Sequence, residues 1–326
     1  MSPVAASTPA STDERIVKLL GAADKALNEE FPANIETALT CFQNALEIDE
    51  NNVGALDGLG ELLANLGDSE RAIEVLMRSA RIAPNQGASK YFYLGQMLNG
   101  SQALEAYNKC MQVASSEAAG VRDDEVLGEI RSRMVSVYCA IGELYMTDLC
   151  DEETAEDGCQ DAFRKALEMS PDSIEALNGI ATFHRIRLEI EQSKSLCLKA
   201  FEIIAAVLED SSESDDLELL APFPLRQRLA ENLVELELVD EALAILSTLL
   251  EEDEEDLQSW FMTGCCHLVS KEKSEAIECV KQGKRLMRKN RQQMDPRSVQ
   301  HWTKSFEELE SRIAALNTQS DDNMTY

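Results

Sequence analysis

This sequence of 326 residues contains little of what most enzymes use for chemistry. Histidine occurs three times, and aromatic residues make up 5% of the chain. No glycine-rich phosphate loop, no G-x-S-x-G serine motif and no H-E-x-x-H zinc motif occurs. Catalysis needs convergent polar groups with tuned pKa values, and no such group of residues stands out. The sequence therefore predicts a protein that is not an enzyme and needs no cofactor.

Metal-site spacing is also absent, because none of the nine cysteines forms a C-x-x-C pair. The one Cys/His cluster is Cys265-Cys266-His267, on a predicted helix. Successive helix side chains point about 100° apart, so these three do not converge on one ion. We expect no metal site, and we interpret the cysteines as reduced packing residues of an intracellular protein. His184 and His267 fall at equivalent inter-helix positions of their repeats, and we interpret them as packing residues too.

Basic residues are scarce: 30 Lys and Arg stand against 60 Asp and Glu, for a formal net charge of −30. A surface this acidic repels nucleic acid phosphates and anionic lipids, and it attracts basic polypeptides. No apolar run is long enough to span a membrane, and no signal-type apolar region opens the chain. The sequence therefore predicts a basic protein partner, with no direct contact to nucleic acid or membrane.

What the sequence does contain is an internal repeat of 34 residues. Counted from Val53, the segment has Gly60 and Ala72 where two antiparallel helices must approach closely, and Pro84 where the second helix must end. The second-helix pattern returns after 34 residues from Ala38 to Ala72, from Cys159 to Ser193 and from Ala242 to Ala276. This is the tetratricopeptide (TPR) pattern. It predicts an all-α superhelical solenoid of about seven helix pairs with a C-terminal capping helix.

Two repeats depart from the period. In the third, KYFYLGQMLNGSQALEAYNKC (residues 90–110), the second helix arrives early, so the turn at Asn99-Gly100 must be tight. In the fourth, the second helix arrives late, after the acidic stretch from Asp148 to Asp157.

Composition predicts how the chain is organised around these repeats. Residues 1–12 are rich in Ser, Thr, Pro and Ala, which is typical of disorder. The solenoid is predicted over 13–316, followed by a flexible tail over 317–326. Within the solenoid we expect an acidic linker at 209–222 and the capping helix at 296–316.

The first helix of each TPR repeat lines the concave face of a solenoid. Acids and aromatics alternate at the concave positions here, which favours a basic, extended peptide with occasional apolar side chains. The alternative is an ordinary solvated helix face. Acids also stand where modules that bind the C-terminal carboxylate of heat-shock chaperones have basic residues, which argues against such a clamp. The candidate partner-binding residues are Asp57, Glu61, Phe92, Tyr93, Gln96, Glu143, Asn178, Arg185, Glu231 and Glu235.

One segment, residues 281–291, is basic in this otherwise acidic chain. Four explanations stay open. The segment could be a solvated helix C-terminus favoured by the helix dipole. It could instead pair with the chain's own acidic loops, contact a second partner, or serve as an import signal.

The regular repeat GLGELLANLGDSERAIEVLMRSARIAPNQ (residues 58–86), the short third repeat after it and the acidic insertions together resemble a known family. It is the fungal dedicated assembly chaperone of the large-subunit ribosomal protein uL4. The resemblance implies a chaperone that captures its newly made client, shields the client's long internal loop and accompanies it to the nuclear pre-ribosome. It also implies a cytoplasmic and nuclear location, and contact with a nuclear import receptor through the client.

Two other functions remain open from the sequence. Histone chaperones of the acidic TPR type also interrupt a repeat with an acidic stretch, although their insertion is usually longer than the one at 148–157. A neutral TPR scaffold that bridges protein complexes would share the same repeats. Binding to uL4 or to histones would separate the three.

Overall fold

The structure, a computed structural model, describes residues 12–28, 33–210 and 220–321. Within these ranges it has fifteen α-helices and no strand. The helices are α1 (Thr12–Asn28), α2 (Ile35–Ile48), α3 (Val53–Asn65), α4 (Ser69–Ile82), α5 (Ala88–Met97), α6 (Gly100–Ala118), α7 (Asp124–Met146), α8 (Ala155–Met169), α9 (Ile174–Ile186), α10 (Ile190–Asp210), α11 (Phe223–Glu235), α12 (Val239–Glu252), α13 (Leu257–Val269), α14 (Lys273–Asn290) and α15 (Pro296–Asp321).

Consecutive helices pack in pairs, and α15 packs against both helices of the last pair. The pairs are α1 with α2, α3 with α4, α5 with α6, α9 with α10, α11 with α12 and α13 with α14. The predicted fold class, a TPR-type α-solenoid of seven pairs with a capping helix, is confirmed. The chain divides into two compact units, residues 1–159 and 160–326. We call them the N-terminal unit and the C-terminal unit and describe each by itself. No helix among the described residues is both long and apolar enough to cross a bilayer.

Several predicted boundaries lie at or beyond the edge of the described residues. The N-terminal segment 1–11, the linker residues 211–219 and the last residues 322–326 lie outside them. The capping helix begins at Pro296 as predicted, and it continues to Asp321 rather than ending at residue 316. Its backbone therefore includes the first part of the predicted tail.

Small residues hold the helix pairs together at the predicted positions. A Cβ added at Gly60 of α3 would overlap the side chain of Leu76 in α4, which is itself fully buried. Ala72 is also fully buried. At Gly264 of α13, an added Cβ would lie 2.9 Å from Leu309 Cδ2 and 3.2 Å from Cys279 Cβ. Glycine therefore occupies these positions of the repeat because two helices lie too close together there to leave room for a larger side chain.

A hydrogen bond links the two irregular repeats within the N-terminal unit. The early second helix is α6, which starts at Gly100 with a left-handed φ of 53°. The late one is α8, which begins at Ala155, before the predicted acidic stretch ends at Asp157, so that Glu156 and Asp157 lie in its first turn. The Gly100 amide donates to Asp148 Oδ2 across 3.0 Å. The tight turn of the third repeat is thus capped by the first acid of the fourth repeat's insertion.

Candidate partner-binding surfaces

A mixed acidic and aromatic surface lies on α3 and α5 of the N-terminal unit. The Tyr93 hydroxyl donates to Glu61 Oε1 across 2.9 Å. The Phe92 ring packs edge-on against Tyr93, with ring centroids 5.8 Å apart. Burial and the neighbouring Glu61 carboxylate raise the pKa of Tyr93. Glu61 and Gln96 are exposed, while the two aromatic rings are half-buried. We call these four residues the N-terminal surface.

Asp57, the fifth candidate of this region, is engaged inside the fold. Its carboxylate lies 3.2 Å from Nζ of Lys90, whose side chain is fully buried. Ser79 donates its hydroxyl to the same carboxylate and accepts from Lys90 Nζ across 2.7 Å. Burial raises the pKa of Asp57, although Ser79 and Lys90 both act to lower it. Because Lys90 has no solvent contact, Asp57 serves to neutralise it, and its carboxylate is not free for a partner.

Glu143 lies half-buried on α7 of the same unit. Its charge acts on Tyr107 of α6, where burial together with this carboxylate raises the tyrosine pKa to about 12. Tyr107 in turn fills the space above Gly95, the close-approach glycine of the third repeat. Glu143 is therefore coupled to the packing of the irregular third repeat.

The C-terminal unit contains a cavity of about 630 Å³ between α9, α11, α13 and α15. Three predicted residues, Arg185, Glu231 and Glu235, lie in its wall. Two aromatic rings, Phe261 and Trp302, meet edge-on within the lining with centroids 6.1 Å apart. The remaining lining residues are Val234, Glu237, Gln258, Met262, Cys265, Val269, His301, Ser305 and Arg312. The cavity thus combines an aromatic and apolar lining with three glutamates and two arginines, Arg185 and Arg312.

Polar contacts orient the charged groups of this cavity. Gln258 donates its side-chain amide to Glu231, and desolvation raises the pKa of Glu231 despite the opposing effect of Arg228. Arg185 donates to Asn232 Oδ1 across 3.2 Å, and its guanidinium lies 3.9 Å from Glu235 Oε2. Glu231 and Glu235 are exposed, so both carboxylates remain accessible at the rim.

The expectation that Asn178 contacts a partner needs correction. Its side chain is fully buried, and its amide donates to the Leu225 carbonyl across 3.1 Å. Asn232 of α11 donates to Thr182 of α9 across 3.0 Å beside it. Asn178 therefore links α9 to α11, because a buried amide must find its partners within the protein.

Two buried cations were missed by the sequence analysis. One is Lys90, and the other is Arg226 on α11, whose side chain is 2% exposed. Arg226 donates to Thr248 Oγ1 across 2.8 Å, to the Ala221 carbonyl across 2.7 Å and to the Glu252 carboxylate. In sequence both look like ordinary surface charges of an amphipathic helix, so no local signal identifies them. Only the neighbouring helices reveal that they point inward.

The described residues show no cluster of three or more His, Cys, Asp or Glu side chains placed to hold a metal ion. Burial raises the pKa of the Cys265 and Cys279 thiols to about 11 and that of Cys266 to about 12. These thiols are therefore protonated at neutral pH. His267 Nδ1 lies 2.8 Å from Glu272 Oε2, a hydrogen bond at the turn between α13 and α14.

Comparison with known proteins agrees with this architecture. The tetratricopeptide repeat family matches residues 53–86. A protein of Schizosaccharomyces pombe named "Probable assembly chaperone of rpl4" is 31% identical over 216 residues, which cover 64% of this chain and 62% of that protein. A protein of Emericella nidulans with the same name is 25% identical over 257 residues, covering 74% of this chain and 62% of its own length. The chain thus matches less than two thirds of each relative.

A solved structure shares the fold. The structure titled "Assembly Chaperone of RpL4 (Acl4) (Residues 1-338)" superposes with a TM-score of 0.68 at 22% sequence identity, covering 81% of this chain and 99% of that one. The resemblance predicted from the repeats and the acidic insertions is therefore confirmed. This chain is a tetratricopeptide-repeat α-solenoid protein whose sequence is similar to fungal proteins named as probable assembly chaperones of rpl4.

Proposed function

We propose that this chain is a dedicated chaperone for a newly made basic ribosomal protein, rpl4 (the uL4 of the sequence analysis), which it delivers to large-subunit assembly. Sequence similarity to two fungal proteins named as probable assembly chaperones of rpl4 supports the proposal. The chain acts by binding rather than by catalysis. It meets the client in the cytoplasm and accompanies it into the nucleus, with any import receptor contacted through the client.

The cavity of the C-terminal unit is the observation that carries the proposal. Glu231, Glu235 and Glu237 surround a lining that includes Phe261 and Trp302. Carboxylates attract the Lys and Arg of a basic segment and speed its association. Aromatic side chains offer an apolar anchor for the side chains between those charges. A basic, extended client segment suits both parts of this cavity.

The N-terminal surface is a second contact of the same chemistry. Glu61 is exposed beside the half-buried rings of Phe92 and Tyr93. Asp57 and Asn178 are left out of this proposal, since the first neutralises Lys90 and the second is buried.

The test is binding of the purified chain to recombinant rpl4, with histones as the rival basic client, at low and physiological salt. We expect rpl4 to bind more tightly, with an affinity that falls as salt rises because exposed charges are screened over about 8 Å at physiological ionic strength. Equal affinity for histones would favour the histone chaperone, and binding to neither would favour a neutral scaffold.

The site itself is tested by Glu231→Lys with Glu235→Lys. We expect about tenfold weaker binding, chiefly through slower association, because each exposed pair contributes about 0–1 kcal/mol. The control is Glu191→Lys with Glu202→Lys, two exposed acids of α10 outside the cavity, which carries the same charge change. If that control weakens binding equally, the client is held by overall charge and not by the cavity. Circular dichroism checks that both variants fold.

A further inference from the structure

The basic segment 281–291 lies mainly on α14, and three of its cations already have partners. Lys281 pairs with Glu278, Lys284 with Glu310 and Lys289 with Glu255. Arg285 lies near Glu255 and Glu278 and helps to lower the pKa of both carboxyls. Arg288 and Arg291 form no ion pair among the described residues, and in a chain with a net charge of −30 two neighbouring unpaired guanidinium groups need an explanation.

Two of these arginines belong to a groove between α14 and α15, with a volume of about 440 Å³. Arg288 and Arg291 lie on one wall together with Lys284. Arg288 Nε donates to the Lys284 carbonyl across 3.0 Å, which fixes the guanidinium while its terminal nitrogens stay available. The other lining residues are Met287, Val299, Thr303, Phe306 and Glu307. Arg285 lies outside the lining.

The structure argues against two of the explanations left open by the sequence. An import signal is usually bound as an extended segment, whereas this segment is helical and packs Gly283 and Leu286 into the core. Pairing with the chain's own acidic loop occurs, but it uses the end of α14. Lys289 and Asn290 both contact Glu255, with the amide of Asn290 at 3.1 Å. That pairing does not involve Arg288 or Arg291, which share the groove lining with one carboxylate, that of Glu307.

We infer that this groove binds an acidic peptide segment that carries an aliphatic side chain. Carboxylates of the segment would pair with Arg288 and Arg291, since guanidinium groups match carboxylates in geometry. The aliphatic side chain would rest on Met287 and Val299, which are half-buried. The basic client proposed above would be repelled here, so the occupant is a second, acidic partner. The inference stands independently of the client's identity.

A nucleic acid fits this groove less well. Binding of single strands relies on stacking against exposed aromatic rings, and the one ring in the lining, Phe306, is fully buried. The overall charge of −30 also repels a long polyanion more than a short peptide. The test below includes RNA for this reason.

Fluorescence anisotropy with the full chain and a labelled peptide of Glu and Leu residues tests the inference. We expect saturable binding at low salt, and weaker binding of a polyglutamate peptide of equal charge because it lacks the aliphatic contact. Arg288→Glu with Arg291→Glu should weaken binding of the Glu/Leu peptide by about tenfold or more, because both guanidinium partners of the peptide carboxylates are replaced by like charges. Both positions are exposed, so the helix should remain folded.

The control is Lys281→Glu with Arg285→Glu, on the same helix but outside the groove lining. This control carries the same charge change as the groove variant. It should reduce the affinity for the Glu/Leu peptide clearly less than the groove variant does. Three results would overturn the inference: no binding of the Glu/Leu peptide, equal loss in the control, or tighter binding of a labelled RNA oligonucleotide of equal charge. The client affinity of the groove variant, measured in parallel, should be unchanged.

Discussion

Among the residues that the structure describes, each unit buries one cation, and the two units neutralise it differently. In the N-terminal unit Lys90 is paired with Asp57, an acid that the repeat pattern assigns to the concave face. In the C-terminal unit Arg226 is paired with Glu252, an acid at a junction between repeats. In the N-terminal unit, Asp57, a candidate partner-binding residue, thus serves the stability of the fold instead. The C-terminal unit leaves Glu231 and Glu235 exposed for a partner.

The comparison shows that the repeat register predicts which residues lie at concave positions. It does not predict whether their side chains are free to bind a partner. An acidic side chain at a concave position can bind a partner only when it is not already paired with a buried cation of the same chain. It also bears on the choice of controls. Glu252 lies at a junction and looks like a neutral site for charge reversal, but its reversal would place a cation beside buried Arg226. The α10 pair Glu191 and Glu202 avoids this problem.

The largest expected effect tests this difference directly. Asp57→Ala leaves buried Lys90 with only Ser79, and breaking a buried pair in this way costs about 3–5 kcal/mol of unfolding free energy. Glu252→Ala should cost less, roughly 1.5–3 kcal/mol, because Arg226 keeps Thr248, the Ala221 carbonyl and the Phe223 ring 5.9 Å away. Urea unfolding of each variant measures both values. The reverse order would show that the two cations are not neutralised as described.

Surface substitution provides the control for that experiment. Glu61→Ala removes an exposed acid four positions after Asp57, and its effect on stability should stay within about 0.5 kcal/mol. A larger loss would mean that the hydrogen bond from Tyr93 matters to folding as well as to binding.

The second expected effect is a loss of stability at alkaline pH that is specific to the N-terminal unit. Tyr107 has a pKa of about 12 in the folded N-terminal unit, whereas an unfolded tyrosine has a pKa of about 10. Between these values the unfolded state loses a proton that the folded state keeps. The stabilisation is therefore complete below about pH 10 and disappears as pH rises to about 12, with a total of roughly 2–3 kcal/mol.

The measurement follows tyrosinate absorbance during alkaline unfolding. All five tyrosines of the described residues lie in the N-terminal unit, so the signal reports chiefly on that unit. Tyr107→Phe should flatten the alkaline loss of stability. If the wild type and the variant lose stability in parallel above about pH 10, burial of Tyr107 is not the cause.

A third expected effect compares two close-approach glycines, one in each unit. Gly60→Ala should destabilise the N-terminal unit by about 1–3 kcal/mol, because its Cβ would overlap buried Leu76. Gly264→Ala should cost less than Gly60→Ala. The flexible end of Leu309 can shift and alanine gains roughly 1 kcal/mol of helix propensity, while Cys279 Cβ at 3.2 Å needs to move only slightly. Thermal unfolding measures both. Equal losses would show that Leu309 cannot move.

Most of the fold could be predicted from the sequence because TPR packing is local. Each helix pair repeats the same small residues, so Gly60, Ala72 and Gly264 identify the close contacts without any structure. The early α6 and the late α8 were also predictable from shifts in the repeat. The site was less predictable: Glu61, Tyr93, Glu231 and Glu235 lie at or near the surface, while Asp57 and Asn178 have partners inside the protein.

The sequence by itself determined the helices, their pairing, the acidic character and the family likeness, since these depend on periodicity and composition. Only the tertiary structure decided which charges are free. Whether an acid such as Asp57 meets solvent or a buried cation depends on side chains from other helices, here Ser79 and Lys90. Burying a charge is costly unless it is paired, so those distant neighbours, and not the repeat register, set which carboxylates remain for a partner.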